Sequence, residues 1–174
     1  MAEAVAEAPS ASLRLSGPAA ARLIALLLPL ALLAGAFGSE YLGGLTPCEM
    51  CWWQRYPHIA AAALAAFAFT APADASRGRA LTLLAAAAIA VSGAIGVYHA
   101  GVELKIFEGF TTCTATARGG STADLLKQIT AAPLVRCDQV QWSLLGISMA
   151  GWNAILSLGG AIVIVFLTLR GSQR

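Results

Sequence analysis

Charged residues are scarce in this chain. Only 11% of its 174 residues are Asp, Glu, Lys or Arg, whereas hydrophobic residues make up 58%. An average soluble domain carries roughly 25% charged residues, because charge covers the surface that faces water. The deficit argues against an ordinary water-soluble domain and indicates that lipid covers much of the surface. The length allows one domain and leaves no room for a second.

Patterns that bind nucleic acids or metals are also missing. The net charge is only +2, and no basic stripe with interleaved aromatic residues points to a nucleic-acid partner. Zinc would require a second closely spaced cysteine pair or paired histidines, which the sequence does not supply. We therefore expect neither a nucleic-acid partner nor a bound metal.

Four apolar runs are present instead. Each has about the 20 residues that a helix needs to cross roughly 30 Å of hydrocarbon, and their Ala- and Leu-rich composition argues against strands. The predicted crossings are residues 19–38, 51–70, 80–101 and 142–169. The sequence thus predicts an all-α membrane protein, a four-transmembrane-helix bundle in a single domain, residues 19–170, after a disordered tail, residues 1–18. Small residues such as Gly93 and Gly96 allow close packing, within one bundle or between two.

The first run has an alternative interpretation. Arg14 and Arg22 precede the apolar residues 23–34, and Ala-Gly-Ala follows, as in a signal peptide with its cleavage site. Apolar residues continue through Phe37 and Leu42, which favours a helix that is retained.

Basic residues predict the orientation. In a chain with four crossings, six arginines fall on one side: Arg14, Arg22, Arg77, Arg79, Arg170 and Arg174. The connection at residues 39–50 has no Lys or Arg, and the basic residues of the connection at 102–141 are balanced by acidic ones. We therefore expect both termini in the cytoplasm and these two connections on the outer side.

All four cysteines fall in or beside the two outward connections. Cys48 and Cys51 form a C-x-x-C, and Cys113 and Cys137 lie in the long connection. Disulfides persist on the outer side and not in the cytosol, so the cysteines agree with the orientation that the arginines predict. A C-x-x-C is typical of redox-active pairs, but four cysteines also fit two structural disulfides in a non-catalytic protein.

The residues around the C-x-x-C predict the start of the second helix. Thr46 would be the N-cap, with Pro47 at the first helical position. The helix N-terminus and its dipole favour a cysteine thiolate. Arg55 lies on the same face as Cys51, where it could bind a ligand carbonyl oxygen or extend to the interface beside neighbouring aromatic residues.

The long connection and the histidines leave further alternatives. Residues 121–124 predict a helix start, followed by a short apolar face that fits an amphipathic helix on the membrane surface. An ordinary loop helix packed on the bundle is the alternative. His58 and His99 are candidates for either a structural or a direct role.

The chain resembles the DsbB family of bacterial disulfide bond formation proteins. Residues 46–55 fit the family pattern P-C-x-x-C-x-x-x-R, residues 99–114 fit its approach to the third cysteine, and residues 136–153 fit the fourth cysteine and the last helix. The resemblance covers about residues 22–169. It implies that the first helix is retained, in the bacterial inner membrane, with the redox loops in the periplasm.

The resemblance also implies a function. Family members oxidise a periplasmic thioredoxin-fold dithiol, DsbA, and pass two electrons to a membrane quinone, here ubiquinone or menaquinone. The partner's reduction potential is about −120 mV, so its oxidation requires an acceptor of still higher reduction potential.

Residue roles follow from the same resemblance. The partner would attack Cys113, Cys137 would resolve the mixed disulfide and pass electrons to Cys48, and Cys51 would donate to the quinone. Arg55 would bind a quinone oxygen, and His99 would line the same pocket.

Two other redox classes fit less well. A protein similar to vitamin K epoxide reductase would carry its C-x-x-C near the last helix. A transmembrane electron conduit would need cysteines within the helices or on both sides of the membrane.

Overall fold

A computed structural model describes residues 16–109, 121–131 and 135–170. Its helices are α1 (Gly17–Tyr41), α2 (Glu49–Ala68), α3 (Ser76–Glu103), α4 (Thr122–Ala131) and α5 (Met149–Arg170), and its strands are β1 (Ser143–Leu144) and β2 (Ile147–Ser148). Most of the predicted tail lies outside the described residues. The first helix begins at Gly17, two residues before the predicted start.

Three helices are long and apolar enough to cross a membrane, namely α1, α3 and α5. The 20-residue α2 helix occupies the predicted second position, but Gln54, Arg55 and His58 make its first half too polar for this group. The described part of the protein is therefore mostly helical and contains three candidate membrane-spanning helices. The fourth crossing stays a prediction.

The α3 helix packs along both α2 and α5, and α1 packs on α2 and α5. Small side chains permit this closeness. A Cβ atom on Gly93 would lie 2.8 Å from the Leu158 side chain, and one on Gly96 would lie 3.0 Å from the Ala150 carbonyl oxygen. The small residues of α3 are therefore used within one bundle, against α5. The alanine-rich core contains Ala21, Ala25, Ala61, Ala65, Ala85, Ala86, Ile89, Ala161 and Ile164.

Arg22 ties the start of α1 to the end of α2. Its Nη1 donates to the carbonyl oxygens of Ala68, at 3.0 Å, and Ala71, at 2.7 Å, and its guanidinium lies over the Phe69 ring. The start of α3 and the end of α5 carry further arginines. The chain thus gathers positive charge at the end of the bundle opposite the C-x-x-C.

The last helix begins later than predicted, at Met149 instead of Trp142. Residues 143–148 form an antiparallel hairpin in which Ser143 pairs with Ser148. Leu145 and Gly146, the two residues of its turn, have φ values of 54° and 79°. Two consecutive positive φ values are typical of a tight hairpin turn, and they end any helix that would start earlier.

The short helix predicted in the long connection is present as α4. The Asp124 backbone N–H donates to the Ser121 hydroxyl at 3.3 Å, and the Ser121 N–H donates to the Asp124 carboxylate at 3.2 Å. This reciprocal pair is a capping box. The Ser121 hydroxyl also donates to the Asp124 carboxylate, at 2.6 Å, and this bond together with the one from the Ser121 N–H lowers the pKa of Asp124. Its position on the membrane surface stays a prediction.

Candidate functional site

The two C-x-x-C sulfurs lie side by side at the start of α2. Cys48 is the N-cap residue, and its Sγ accepts the backbone N–H of Cys51 at 3.4 Å. The prediction of Thr46 as N-cap was wrong, because the Cys48 sulfur itself caps the helix. The two Sγ atoms are 3.0 Å apart and both cysteines are free thiols. A disulfide between them would require only a small movement.

His99 of α3 presents a hydrogen-bond donor to Cys48. The Gln54 side-chain nitrogen donates to the Met50 carbonyl oxygen at 3.1 Å, which settles the orientation of that amide. The same nitrogen lies 2.8 Å from Nδ1 of His99, so Nδ1 is an acceptor. A neutral imidazole then carries its proton on Nε2, which lies 3.6 Å from the Cys48 sulfur.

Arg55 is buried, with only 5% of its surface exposed. It forms an ion pair with Glu40 at the end of α1, and its Nη2 donates to the Ala36 carbonyl oxygen at 3.1 Å. The Phe37 and Trp52 rings each lie 4.7 Å from the guanidinium carbon. Arg55 is therefore held inside the protein, and the alternative in which it extends to the interface does not describe it.

Cys137 lies buried in one cluster with Cys48. Its segment is tied to the end of α3, because Lys105 donates to the Asp138 carboxylate at 2.6 Å. Arg136 donates to the same carboxylate at 2.9 Å, and the two cations hold the pKa of Asp138 well below its usual range. The structure thus brings together three of the four predicted cysteines.

The fourth predicted cysteine, Cys113, lies outside the described residues. The structure therefore contains neither its distance to Cys137 nor its surroundings.

A cavity of about 530 Å³ opens beside the dithiol, with walls from α1, α2, α3 and α5. Most of its wall is apolar, and the polar side chains that line it include Arg55, His58, His99 and Glu103. Cys51 also lines it, whereas Cys137 does not. The volume falls within the range of sites for small organic ligands.

The same groups could approach a metal ion. The donor atoms of Cys48, Cys51 and His99 all lie within 4.8 Å of one another. Three ligands are too few for a structural zinc site, although catalytic zinc sites use three, so the sulfur spacing is the better test. Two zinc-bound sulfurs with tetrahedral bonds of 2.3 Å are separated by about 3.8 Å, further than the 3.0 Å observed. The geometry suits a dithiol and disulfide pair better.

Three contributors were missed in the sequence, namely Glu40, Gln54 and Asn153. Asn153 of α5 donates to the Gln54 side-chain oxygen at 2.8 Å and so supports the amide that orients His99. The sequence did contain a sign of them, because a polar residue inside an apolar helix or at its edge requires a hydrogen-bonding partner.

Comparisons with known proteins identify the family of the chain. The model of the family "Disulfide bond formation protein DsbB" matches residues 18–167. An uncharacterised protein of Rickettsia prowazekii (strain Madrid E) is 25% identical over 150 residues, 84% of this chain and 84% of that protein. Disulfide bond formation protein B of Marinobacter nauticus is 27% identical over 147 residues, 80% of this chain and 84% of that protein. No solved structure matches the chain. Since the family model spans most of its length, the chain belongs to the DsbB family of membrane proteins for disulfide bond formation.

Proposed function

We propose that this protein is a quinone-dependent thiol:disulfide oxidoreductase that reoxidises a periplasmic, DsbA-like thioredoxin-fold dithiol. One observation carries the proposal: the Cys48–Cys51 dithiol caps a helix beside a ligand-sized cavity that contains a buried arginine. A purely structural disulfide would have no use for a cavity of this kind or for a buried charge in its wall.

On the partner side, the proposed reactive pair is Cys113 and Cys137. A thiolate of the reduced partner attacks their disulfide at Cys113 and releases Cys137 as a thiolate. The partner's second thiol, and not Cys137 as the family resemblance suggested, then releases the mixed disulfide, because attack by Cys137 would only reverse the first step. The partner becomes oxidised and this pair becomes a dithiol. The Cys137 thiolate next attacks Cys48 of the oxidised Cys48–Cys51 pair and releases Cys51 as a thiolate. Cys113 then attacks Cys137, which restores the Cys113–Cys137 disulfide and leaves both electrons on Cys48 and Cys51. The burial of Cys137 against Cys48 supports this transfer.

On the membrane side, the residues present fit a quinone. A bound quinone supplies an acceptor for two electrons and two protons. Arg55 would donate to one ring oxygen and stabilise negative charge there. Cys51 would deliver the electrons from the cavity wall, while the Nε2–H of His99 would donate to the Cys48 sulfur. The apolar wall from α1 would keep water out. Ubiquinone and menaquinone both have a ring that this cavity could hold.

The proposed topology is a single membrane domain, residues 19–170, with α2 as a fourth crossing. The polar residues of α2 face inward, since Gln54, Arg55 and His58 are 7%, 5% and 3% exposed. A helix that turns its polar groups into the bundle can still present an apolar surface to lipid. We place both termini in the cytoplasm, the cysteines at the periplasmic side of the inner membrane, and α4 on the membrane surface.

The test is single-turnover mixing of the purified protein with a reduced DsbA-like partner and ubiquinone. We expect one quinone reduced per partner oxidised. Cys51→Ser abolishes quinone reduction, and Arg55→Ala slows it by about 100-fold, the typical effect of losing one charge-stabilising donor. Arg22→Ala is the matched control, because Arg22 binds backbone carbonyls at the opposite end of the bundle, and it keeps the wild-type rate.

The opposite result is equally clear. An intact protein that moves no electrons, and in which reductant and quinone leave the Cys48–Cys51 bond unchanged, would instead be a non-catalytic protein with structural disulfides.

A further inference from the structure

A chain of buried side chains runs from the dithiol into the bundle. His99 contacts Gln54, Gln54 contacts Asn153, and Asn153 contacts His58, one turn further along the same face of α2. Ser157 of α5 completes it, since its hydroxyl donates to the Asn153 oxygen at 3.0 Å. The proposed electron transfer uses His99 but gives no role to His58 at the other end.

The direction of each bond in this chain is determined by a backbone carbonyl. The Asn153 side-chain nitrogen lies 3.2 Å from the Ser92 carbonyl oxygen, which can only accept, so this end of the amide is the donor. The Asn153 oxygen therefore faces Nε2 of His58, at 2.9 Å. Because an amide oxygen cannot donate, Nε2 of His58 must carry the proton.

Nδ1 of a neutral His58 is consequently an acceptor, and it has no hydrogen-bond partner among the described residues. His58 is 3% exposed and lines the cavity together with Arg55, one helical turn earlier. A buried acceptor without a donor is unfavourable. His58 lines the cavity, but its Nδ1 atom lies just behind the cavity surface. A ligand donor therefore satisfies this acceptor when the side chains beside it move.

We propose that His58 is a ligand-binding residue whose Nδ1 accepts a hydrogen bond from an aromatic hydroxyl group in the cavity. This inference rests on the proposed function, because it assigns the recognition of the hydroxyl-bearing, reduced form of the quinone to a residue of that site. Arg55 can only donate, and therefore suits a carbonyl or ether oxygen. His58 supplies the opposite polarity, so the site favours a ring with one acceptor and one donor.

The experiment compares two probes that differ in one methyl group. 4-Decyloxyphenol has a hydroxyl donor and an ether acceptor, whereas 1-decyloxy-4-methoxybenzene has lost the donor. Binding to the full-length protein in lipid nanodiscs is measured by calorimetry, without any redox step. We expect the wild type to bind the phenol about 5- to 10-fold more tightly, the effect of one hydrogen bond.

His58→Phe keeps a ring of similar shape and removes the acceptor. We expect the ratio of the two affinities to fall to about 1 while the ether binds as before. Thr82→Ala is the control, since it removes a buried hydroxyl that donates to the Gly78 carbonyl oxygen within α3, away from the cavity, and it keeps the wild-type ratio.

A second measurement needs no stable variant. The chain has only two histidines, so nitrogen-15 NMR of histidine-labelled protein resolves their four ring nitrogens. We expect His58 to be protonated at Nε2 alone, and its Nδ1 signal to shift on adding the phenol and not the ether.

Equal affinities of the wild type for the two probes, or a proton on Nδ1 of His58, would overturn this inference. The proposed function would still stand if the same protein reduced quinone. If the protein bound neither probe and reduced no quinone, both would fail.

Discussion

At the scale of single residues, each reactive group of the site depends on a partner from another part of the chain. Arg55 is paired with Glu40, 15 positions earlier, and His99 is oriented by Gln54, 45 positions earlier. Cys48 is the exception, because it caps its own helix and binds the N–H of Cys51. Local sequence therefore creates the dithiol, whereas distant residues hold the side chains that lie beside it.

The ion pair of Arg55 yields a prediction. Glu40→Ala leaves a buried guanidinium without its carboxylate, and we expect the free energy of unfolding to fall by about 2 kcal/mol. We also expect a several-fold higher KM for quinone with a smaller change in kcat, because Arg55 loses one of the contacts that position it. Denaturant melts and steady-state kinetics measure the two effects.

Asp74→Asn is the comparison for this prediction. Asp74 is an exposed carboxylate in the turn between α2 and α3, and its replacement should alter neither quantity. An unchanged KM in Glu40→Ala would remove Glu40 from the account of the site.

At the scale of elements, the segment that carries Cys137 is held to α3 by charge. Lys105, whose φ is 62°, follows the end of α3 and reaches both the side chain and the backbone oxygen of Asp138. Because the pKa of Asp138 is lowered in the folded protein, this tie is fully present above the ordinary aspartate pKa of 3.8. It is lost as the pH falls through the lower folded value.

The reactivity of Cys137 reports whether the Lys105–Asp138 ion pair is formed. The test uses a protein in which the other three cysteines are replaced by serine. We expect the rate at which Cys137 reacts with dithiodipyridine, divided by the rate of a peptide thiol, to stay constant from pH 7 to 5. The rate should rise only below pH 3.8. Asp138→Asn removes the charge at every pH and should raise the neutral rate by about 2- to 5-fold, as expected for exposed ion pairs.

Asp124→Asn provides the matched variant, because Asp124 caps α4 through Ser121 and should leave the Cys137 rate unchanged. A neutral rate in Asp138→Asn equal to that of the wild type would mean that packing alone protects this cysteine.

At the scale of the whole molecule, close approach of α3 and α5 shapes the cavity and its polar chain. Gly96 lies where a Cβ would meet the Ala150 carbonyl oxygen at 3.0 Å and the Asn153 side chain at 3.1 Å. Gly159, in the same pair of helices, has nothing within 4 Å of a Cβ. The two glycines therefore separate the effect of packing from that of helix propensity.

We predict that Gly96→Ala destabilises the protein by about 1–3 kcal/mol, because the helices must move apart. It should also slow quinone reduction, since Asn153 moves with α5. Gly159→Ala should raise the stability by about 0.5–1 kcal/mol, the effect of helix propensity alone, and leave quinone reduction unchanged. Thermal melts in detergent and the single-turnover assay test this, and equal melting temperatures for the two variants would contradict it.

The sequence by itself determined the composition-driven features of this protein. Hydropathy and length placed α1, α3 and α5, because a helix that contacts lipid must be apolar over a span set by the bilayer. The P-C-x-x-C-x-x-x-R spacing identified the dithiol and Arg55, since neighbours within two helical turns share local geometry. The Ser121–Asp124 capping box likewise lies within one turn.

Only the tertiary structure decided which distant groups meet. The Glu40–Arg55 pair, the orientation of His99 by Gln54, and the burial of Cys137 against Cys48 all join segments far apart in the chain. The hairpin before α5 was missed because its turn depends on positive φ values at Leu145 and Gly146, which an apolar run does not reveal. The free acceptor on His58 followed only from the bonds that Asn153 makes to α2 and α3, because a side-chain network has no periodicity that a sequence displays.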